Sequence, residues 1–367
     1  MFGTILITIC TLMHVYVFWR ASSVPLILQH LPLKILVGIG IILWAVFYLG
    51  RVVGHGESGV LARGIEFLGM TWMAFLFLSF ILLFAIDLVT LFGLFASRLS
   101  ASLRGFALLA GAVLSAIALI QGLRPPVITE YEVNLTNLPK EMDRTVVVAI
   151  GDTHLGSQIG ADWLAGRIDQ IKAQQPDLVV FLGDIFEGHG ASGDKLMTEF
   201  KKLSSSMDVW AVTGNHEFHG GGRAIQMMEE SGFKLLRNRW VEVRPGLIFA
   251  GVDDLTTRQR RGQKDDFILQ ALAKRPPGAT VLLSHTPWEV KRAAKMGVGL
   301  MLSAHTHGGQ IWPFDYLVRS SYPYLEGLYR MNGMTLIVSR GTGTWGPRMR
   351  LWLPGEILRL TLRSKNK

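Results

Sequence analysis

The sequence predicts an α/β domain preceded by an apolar helical domain, and three observations carry that reading. Charge is divided unevenly along the chain. Four nearly uncharged windows fill the first 120 residues. Beyond them, β-branched runs alternate with stretches of helical spacing, and several runs stop at a group of polar residues.

The helical domain comes first in the chain. Of 367 residues, 49% are hydrophobic and 18% charged, below the roughly 25% charged of ordinary soluble domains. That excludes a disordered chain, which needs high charge and few apolar residues. Residues 1–120 hold six basic residues (Arg20, Lys34, Arg51, Arg63, Arg98, Arg104) and three acids (Glu57, Glu66, Asp87). This leaves 31 of the 37 basic and 25 of the 28 acidic residues to the rest of the chain. A helix crossing a bilayer needs about 20 apolar residues, with a range of about 17–25. The windows at about 3–19, 35–50, 67–86 and 105–123 fit or nearly fit, and basic residues flanking the short second one can snorkel. Trp19, Trp44, Tyr48 and Trp72 lie toward window ends, as interfacial anchors do. The first window lacks the basic start and small-residue cleavage site of a signal peptide, so it reads as an uncleaved helix. Asp87, near the end of the third window, is either a functional intramembrane carboxylate or the point where that helix leaves the bilayer. Arg20, Lys34, Arg98 and Arg104 fall in loops on one side, and Arg51 and Arg63 on the other. Positive-inside counting then places both termini and the C-terminal domain outside the cytoplasm.

Residues 1–124 therefore read as a four-helix transmembrane domain, 125–144 as a connector with a first strand, and 145–367 as the α/β domain. Arg124-Pro125-Pro126 ends the last helix. Val127–Leu135 alternates like a strand and Leu138-Pro139 breaks it. Strands are expected at Thr145–Ile150, Asp177–Leu182, Val209–Val212, Leu247–Val252, Thr280–Leu283, Leu300–Ser303 and Thr335–Val338. Helices are expected at Ala161–Gln174 and Lys195–Leu203.

Ligand-type residues recur where these strands stop: Asp152-Thr153-His154, Gly183-Asp184, Gly214-Asn215-His216-Glu217, Ser284-His285, and Ala304-His305-Thr306-His307-Gly308-Gly309. Open α/β sheets bind ligands beyond the carboxyl ends of their strands, so five ends point at one crevice. Asp152 and His154 are two apart, as are His305 and His307, which puts each pair on one face of an extended chain. A set of carboxylates, one amide and imidazoles, without thiolates, suits Mn, Fe or Zn ions. Seven such residues exceed the three that hold one catalytic ion, and suit two ions about 3.5–4 Å apart. The single cysteine, Cys10, excludes a disulfide framework and a thiolate zinc site.

In this order the five motifs resemble the calcineurin-like metallophosphoesterases, and the layout resembles their membrane-anchored bacterial branch. Ala304 departs from the glycine usual before the His-x-His pair. The resemblance implies a four-layer α/β/β/α sandwich in a multi-pass protein of a bacterial inner or plasma membrane. It implies that Asp152, His154 and His307 bind one divalent ion, that Asn215, His285 and His305 bind the other, and that Asp184 bridges them. His216 then faces the scissile phosphate as the catalytic residue. Two cations neutralise phosphoryl oxygens and lower the pKa of a bridging water, whose hydroxide attacks in line with the leaving group.

Simpler readings exist for single residues. Asp152 and Asp184 also fit helix N-caps, and Asn215 fits a turn beside Gly214. His219 and His189, in Gly-rich segments, are candidates for touching substrate, as are Arg348 and Arg350 near Trp345. The partners expected are the lipid bilayer and a phosphorylated lipid or small molecule. The absence of a long Lys/Arg run argues against nucleic acid. A soluble-nucleotide phosphodiesterase, a non-catalytic scaffold and a transporter-linked regulatory domain are the rival classes. Pocket walls are expected around Gly220–Gly222 and Tyr322–Leu328.

Overall fold

The computed structural model describes residues 2–54, 59–95, 97–188, 193–219 and 222–365. The chain divides into two compact units. One holds Met1–Arg124 with Gly346–Trp352, and the other holds Pro125–Trp345 with Leu353–Lys367.

The first unit contains α1 (Phe2–Ala21), a short α2 (Pro25–His30), α3 (Leu33–Leu49), α4 (Val60–Val89) and α5 (Ser97–Leu123). Four of its helices are long and apolar enough to cross a membrane, over Gly3–Ala21, Leu33–Val52, Val60–Val89 and Leu99–Leu123. Their apolar side chains face outward: Ile5, Ile9, Leu12, Ile41, Ile42, Leu68, Phe106 and Leu109 are all exposed. That inverts the pattern of a soluble bundle and suits hydrocarbon as the surrounding medium. Close helix approach depends on small residues. A Cβ on Gly69 would lie 2.8 Å from the Val46 carbonyl oxygen, and one on Gly111 would lie 2.6 Å from Ser79 Oγ.

α4 extends past the apolar window at 67–86 because the charges bounding that window are buried within the unit. Asp87 is fully buried. It accepts from Arg104 Nε at 3.0 Å and Nη2 at 2.8 Å, pairs with Arg20 Nε at 2.5 Å, and accepts from the Tyr16 hydroxyl. Arg104 also donates to Ser23 Oγ and the Phe92 carbonyl. Asp87 is thus a pairing residue between helices, two residues before the end of α4. In the same unit, Gly346–Trp352 lies along α5, with Arg350 N donating to the Ala118 carbonyl and Trp352 N to Gln121 Oε1, both at 2.9 Å.

The second unit is built on two six-stranded sheets. The first contains β1 (Val127–Leu135), β2 (Thr145–Ile150), β3 (Leu178–Phe181), β4 (Val209–Ala211), β5 (Lys234–Leu235) and β12 (Glu356–Ser364). Its order is β1-β12-β2-β3-β4-β5. β12 runs parallel to β1 and antiparallel to β2, and β2 to β5 are parallel. The second sheet contains β6 (Arg239–Arg244), β7 (Leu247–Gly251), β8 (Ala279–Leu283), β9 (Leu300–Ser303), β10 (Gly327–Met331) and β11 (Met334–Val338), in the order β10-β11-β9-β8-β7-β6. β7, β8, β9 and β11 are parallel, with β6 and β10 antiparallel at the edges.

Strand alternation builds the layers. Val147 and Ala149 of β2 join Val180, Phe249, Val281, Leu302 and Leu360 in a core between the sheets. Val148 and Ile150 point the other way and pack with Leu164, Ile168, Phe200 and Met228 from α6 (Ala161–Ala173), α7 (Gly193–Ser204) and α8 (Arg223–Glu230). On the far face, Ala250, Leu282 and Met301 pack with Leu255, Ile268 and Ala293 from α9 (Leu255–Arg260), α10 (Phe267–Leu272) and α11 (Val290–Lys295). The result is the expected α/β/β/α stack. α12 (Phe314–Ser321) follows the His305-x-His307 loop and has no buried residue.

Candidate metal centre

The parallel strands of both sheets deliver their carboxyl ends to one place. β2 leads into Asp152 and His154, β3 into Asp184, β4 into Asn215 and His216, β8 into His285, and β9 into His305 and His307. Five of these residues hold left-handed backbone: Asp152 (φ 52°), His154 (46°), Asp184 (49°), His305 (75°) and His307 (51°). Such conformations cost about 1–3 kcal/mol each and persist where the surroundings over-determine them, characteristically at functional sites. Gly183, at φ 87°, permits the Asp184 turn, since a Cβ there would lie 2.4 Å from the Gly214 nitrogen.

Among the described residues the side chains converge in three overlapping groups, one of them His154, Glu187 and His216, and the other two built from Asp and His alone. In one, Asp152, His154 and His307 each offer a ligand atom within 4.8 Å of the others, and His154 Nε2 lies 3.1 Å from His307 Nε2. In the other, Asp184, His285 and His305 do the same, with His285 Nε2 at 3.2 Å from Asp184 Oδ2 and at 3.0 Å from His305 Nδ1. Asp184 Oδ2 is also 4.0 Å from His154 Nε2 and 3.9 Å from His216 Nε2, so this carboxylate stands between the groups. Asn215 Oδ1 is buried without a hydrogen-bond partner, a costly state for an amide oxygen unless it ligates something. The donor set fits divalent cations.

Electrostatics pulls these groups apart. Burial opposes charge on His285, but Asp184 and Asp152 outweigh it and raise its pKa to about 10. Burial and the neighbouring His285 lower His305 to about 4. Burial raises Asp152 to about 6 against the pull of His285. Asp184 is held well below the usual carboxylate range, because His285 and His216 outweigh its burial. His216 is likewise raised to about 9, the Asp184 and Glu187 carboxylates overcoming burial. A cation held by this set would take the place of protons on its imidazoles and carboxylates.

Two acids work here that sequence reasoning quoted without a role. Glu187 Oε2 receives His154 Nδ1 at 2.7 Å and His216 Nδ1 at 2.9 Å, orienting both rings. Glu217 is fully buried and accepts backbone N–H bonds from Gly214, Asp184, Ile185 and Phe186 at 2.7–3.3 Å, locking the β3 and β4 turns together. The only sequence signal was their position three residues after Asp184 and two after Asn215. Ala304 is accommodated because it faces Gly151, where an added Cβ would lie 2.7 Å from the Ala304 methyl.

The remaining candidates fall in different places. The exposed His219 ring lies 5.1 Å from that of His216, centroid to centroid, and Trp345 lies 6.5 Å from it. Arg348 and Arg350 group with the helical unit, where Arg350 is buried. His189, Gly220 and Gly221 lie outside the described residues. The Tyr322 hydroxyl lies 2.8 Å from His305 Nε2, while Leu325 is buried.

A family model described as calcineurin-like phosphoesterase matches residues 145–309. An uncharacterized metallophosphoesterase of Aquifex aeolicus is 31% identical over 246 residues, covering 65% of this chain and 92% of that protein. Another, from Helicobacter pylori strain J99, is 33% identical over 251 residues, covering 67% of this chain and 66% of that one. A Bos taurus transmembrane protein with metallophosphoesterase domain is 29% identical over 268 residues, covering 69% of this chain and 60% of that one. The chain belongs to the calcineurin-like metallophosphoesterases, a family of phosphoester hydrolases. Its match spans just under two thirds of the Helicobacter relative's length.

Proposed function

We propose that this protein is a membrane-anchored, dimetal phosphoesterase acting on a phosphoester held at a lipid surface, such as a phospholipid or a lipid-linked phosphate. The observation that carries the dimetal reading is the pair of converging His/Asp groups together with the buried, unpartnered Oδ1 of Asn215, whose chain neighbour His216 donates its backbone N–H to Asp184. Asp152, His154 and His307 hold one ion. Asn215, His285 and His305 hold the other, and Asp184 reaches both. Bound there, two divalent cations supply a water activated for attack and neutralise phosphoryl oxygens.

The chain's own groups do the rest. Glu187 takes the Nδ1–H of His216, leaving Nε2 to face the substrate, where it holds a proton for the leaving oxygen. His219, beside it, contacts the substrate's outer part. The four bilayer-length helices support anchoring, which raises the effective concentration of lipid substrate. The distribution of Lys and Arg among the loops supports a site on the non-cytoplasmic side.

Purified full-length protein is assayed on bis-p-nitrophenyl phosphate, p-nitrophenyl phosphate and lipid extracts after loading with Mn²⁺, Zn²⁺ or Mg²⁺. We expect metal-dependent hydrolysis that Asp184→Asn abolishes, with a lipid phosphoester turned over faster than cyclic nucleotides. A folded sample that binds no ions in excess metal sinks the dimetal reading. Preference for a soluble nucleotide sinks the lipid one.

A further inference from the structure

We propose that Tyr322 is a positioning residue that sets the tautomer and tilt of the His305 imidazole and so holds the second cation of the site. The inference rests on the dimetal reading above. Each of three clustered histidines has one nitrogen turned into the cluster and the other bonded outside it. His154 directs Nδ1 to Glu187 Oε2 at 2.7 Å, and His285 directs Nδ1 to the Leu182 carbonyl oxygen at 2.7 Å. His305 is reversed. Its Nδ1 lies 3.0 Å from His285 Nε2, inside the group with Asp184, while Nε2 lies 2.8 Å from Tyr322 Oη.

The consequence is chemical. An imidazole that ligates a cation needs a lone pair on the inward nitrogen and therefore its hydrogen on the outward one. With Nε2–H donating to Tyr322 Oη, His305 offers the Nδ1 lone pair. Without that acceptor the ring is free to carry its hydrogen on Nδ1 and to rotate. The phenol is itself held in place. Its ring stacks on Trp288 with centroids 5.9 Å apart and planes 16° apart, and meets His305 edge-on at 4.9 Å. Its backbone N–H donates to the Val318 carbonyl at 2.9 Å, at the end of α12. Glu187 and Tyr322 thus perform the same task for different halves of the site, one with a carboxylate and the other with a neutral hydroxyl.

The test is Mn²⁺ binding to chelator-stripped full-length protein, read by calorimetry and by low-temperature EPR. Wild type should take two ions per chain with an exchange-coupled spectrum. Tyr322→Phe, which keeps the ring and removes one oxygen, should keep the first ion and bind the second about 10–100-fold more weakly. It should then show an isolated Mn²⁺ signal where wild type shows a coupled one. Trp288→Leu should move the second affinity in the same direction by less. Unchanged second-site affinity in Tyr322→Phe overturns the proposal. So does equal weakening of both ions with a lower melting temperature of the stripped protein, which marks a merely structural role. Wild type that binds no Mn²⁺ overturns this proposal and the dimetal function together. Two ions in wild type and two equally tight ions in Tyr322→Phe overturn this proposal alone.

Discussion

Glu187 and Glu217 lie close together but do opposite kinds of work. One oxygen of Glu187 serves two imidazoles that belong to different tasks, His154 and His216. Replacing Glu187 with Gln keeps an oxygen but removes the charge. It should lower kcat about 10–100-fold, the usual cost of losing a group that orients a site imidazole, and less than the roughly 10²–10⁴-fold a positioned acid itself supplies. In a His216→Ala background the same change should cost much less, because part of what Glu187 orients is already gone. Equal losses in both backgrounds would separate Glu187 from His216. Glu217 accepts four backbone N–H groups, one of them that of Asp184. Glu217→Ala leaves those donors buried and should destabilise the domain by about 3–5 kcal/mol. Glu217→Gln should be no rescue, because its amide turns a donor toward other donors. Thermal unfolding of the stripped protein measures both, and a melting temperature unmoved by either substitution would contradict the role given to Glu217.

At the scale of elements, the strands that feed the site were the legible ones. β2 and β9 begin and end where the sequence reading placed them, and β3 and β4 are shorter by one or two residues. Each is a β-branched or apolar run stopped by a motif, so period and punctuation agree. β5, β6, β10 and β12 escaped notice, β12 because Arg359, Thr361 and Arg363 interrupt its apolar run. β5 has two residues, and β6 and β10 are edge strands with half-exposed faces, so no long apolar run marks them. The work of Glu187 was illegible for another reason. It meets His154 only because the turns after β2 and β3 lie side by side, with Leu155 bridging to Phe186. Asp87 teaches the same lesson among the helices, since its partners Arg20 and Arg104 come from α1 and α5. Asp87→Asn strands two buried guanidinium groups and should destabilise the helical unit by about 3–5 kcal/mol. Hydrolysis of p-nitrophenyl phosphate per folded molecule should not change. Loss of that activity without loss of stability would return Asp87 to the list of functional carboxylates.

At the scale of the whole molecule, ligands drawn from both sheets tie metal binding to the stability of the sandwich. β2, β3 and β4 supply Asp152, His154, Asp184 and Asn215, and β8 and β9 supply His285, His305 and His307. Cations that bind only the folded form stabilise it by RT ln(1 + [L]/Kd), about 2.7 kcal/mol at a hundredfold excess over Kd. Chelation should therefore lower the melting temperature of the α/β domain by several degrees. Asp184→Asn should abolish most of that difference, and a metal-independent melting temperature in wild type would deny the coupling.

β12 carries a consequence for how this protein is made. It lies between β1 and β2, and among the described residues β1 pairs with no other strand. Thr129 on β1 and Glu356 on β12, joined by a 2.6 Å hydrogen bond, are 227 residues apart in the chain. A ribosome adding about 5–20 residues per second leaves the finished β1 without a neighbour for roughly 10–45 seconds. Throughout that interval the first sheet has an open edge at β2, an invitation to pair with the wrong strand. The nascent domain therefore depends on its surroundings to keep that edge covered until β12 arrives.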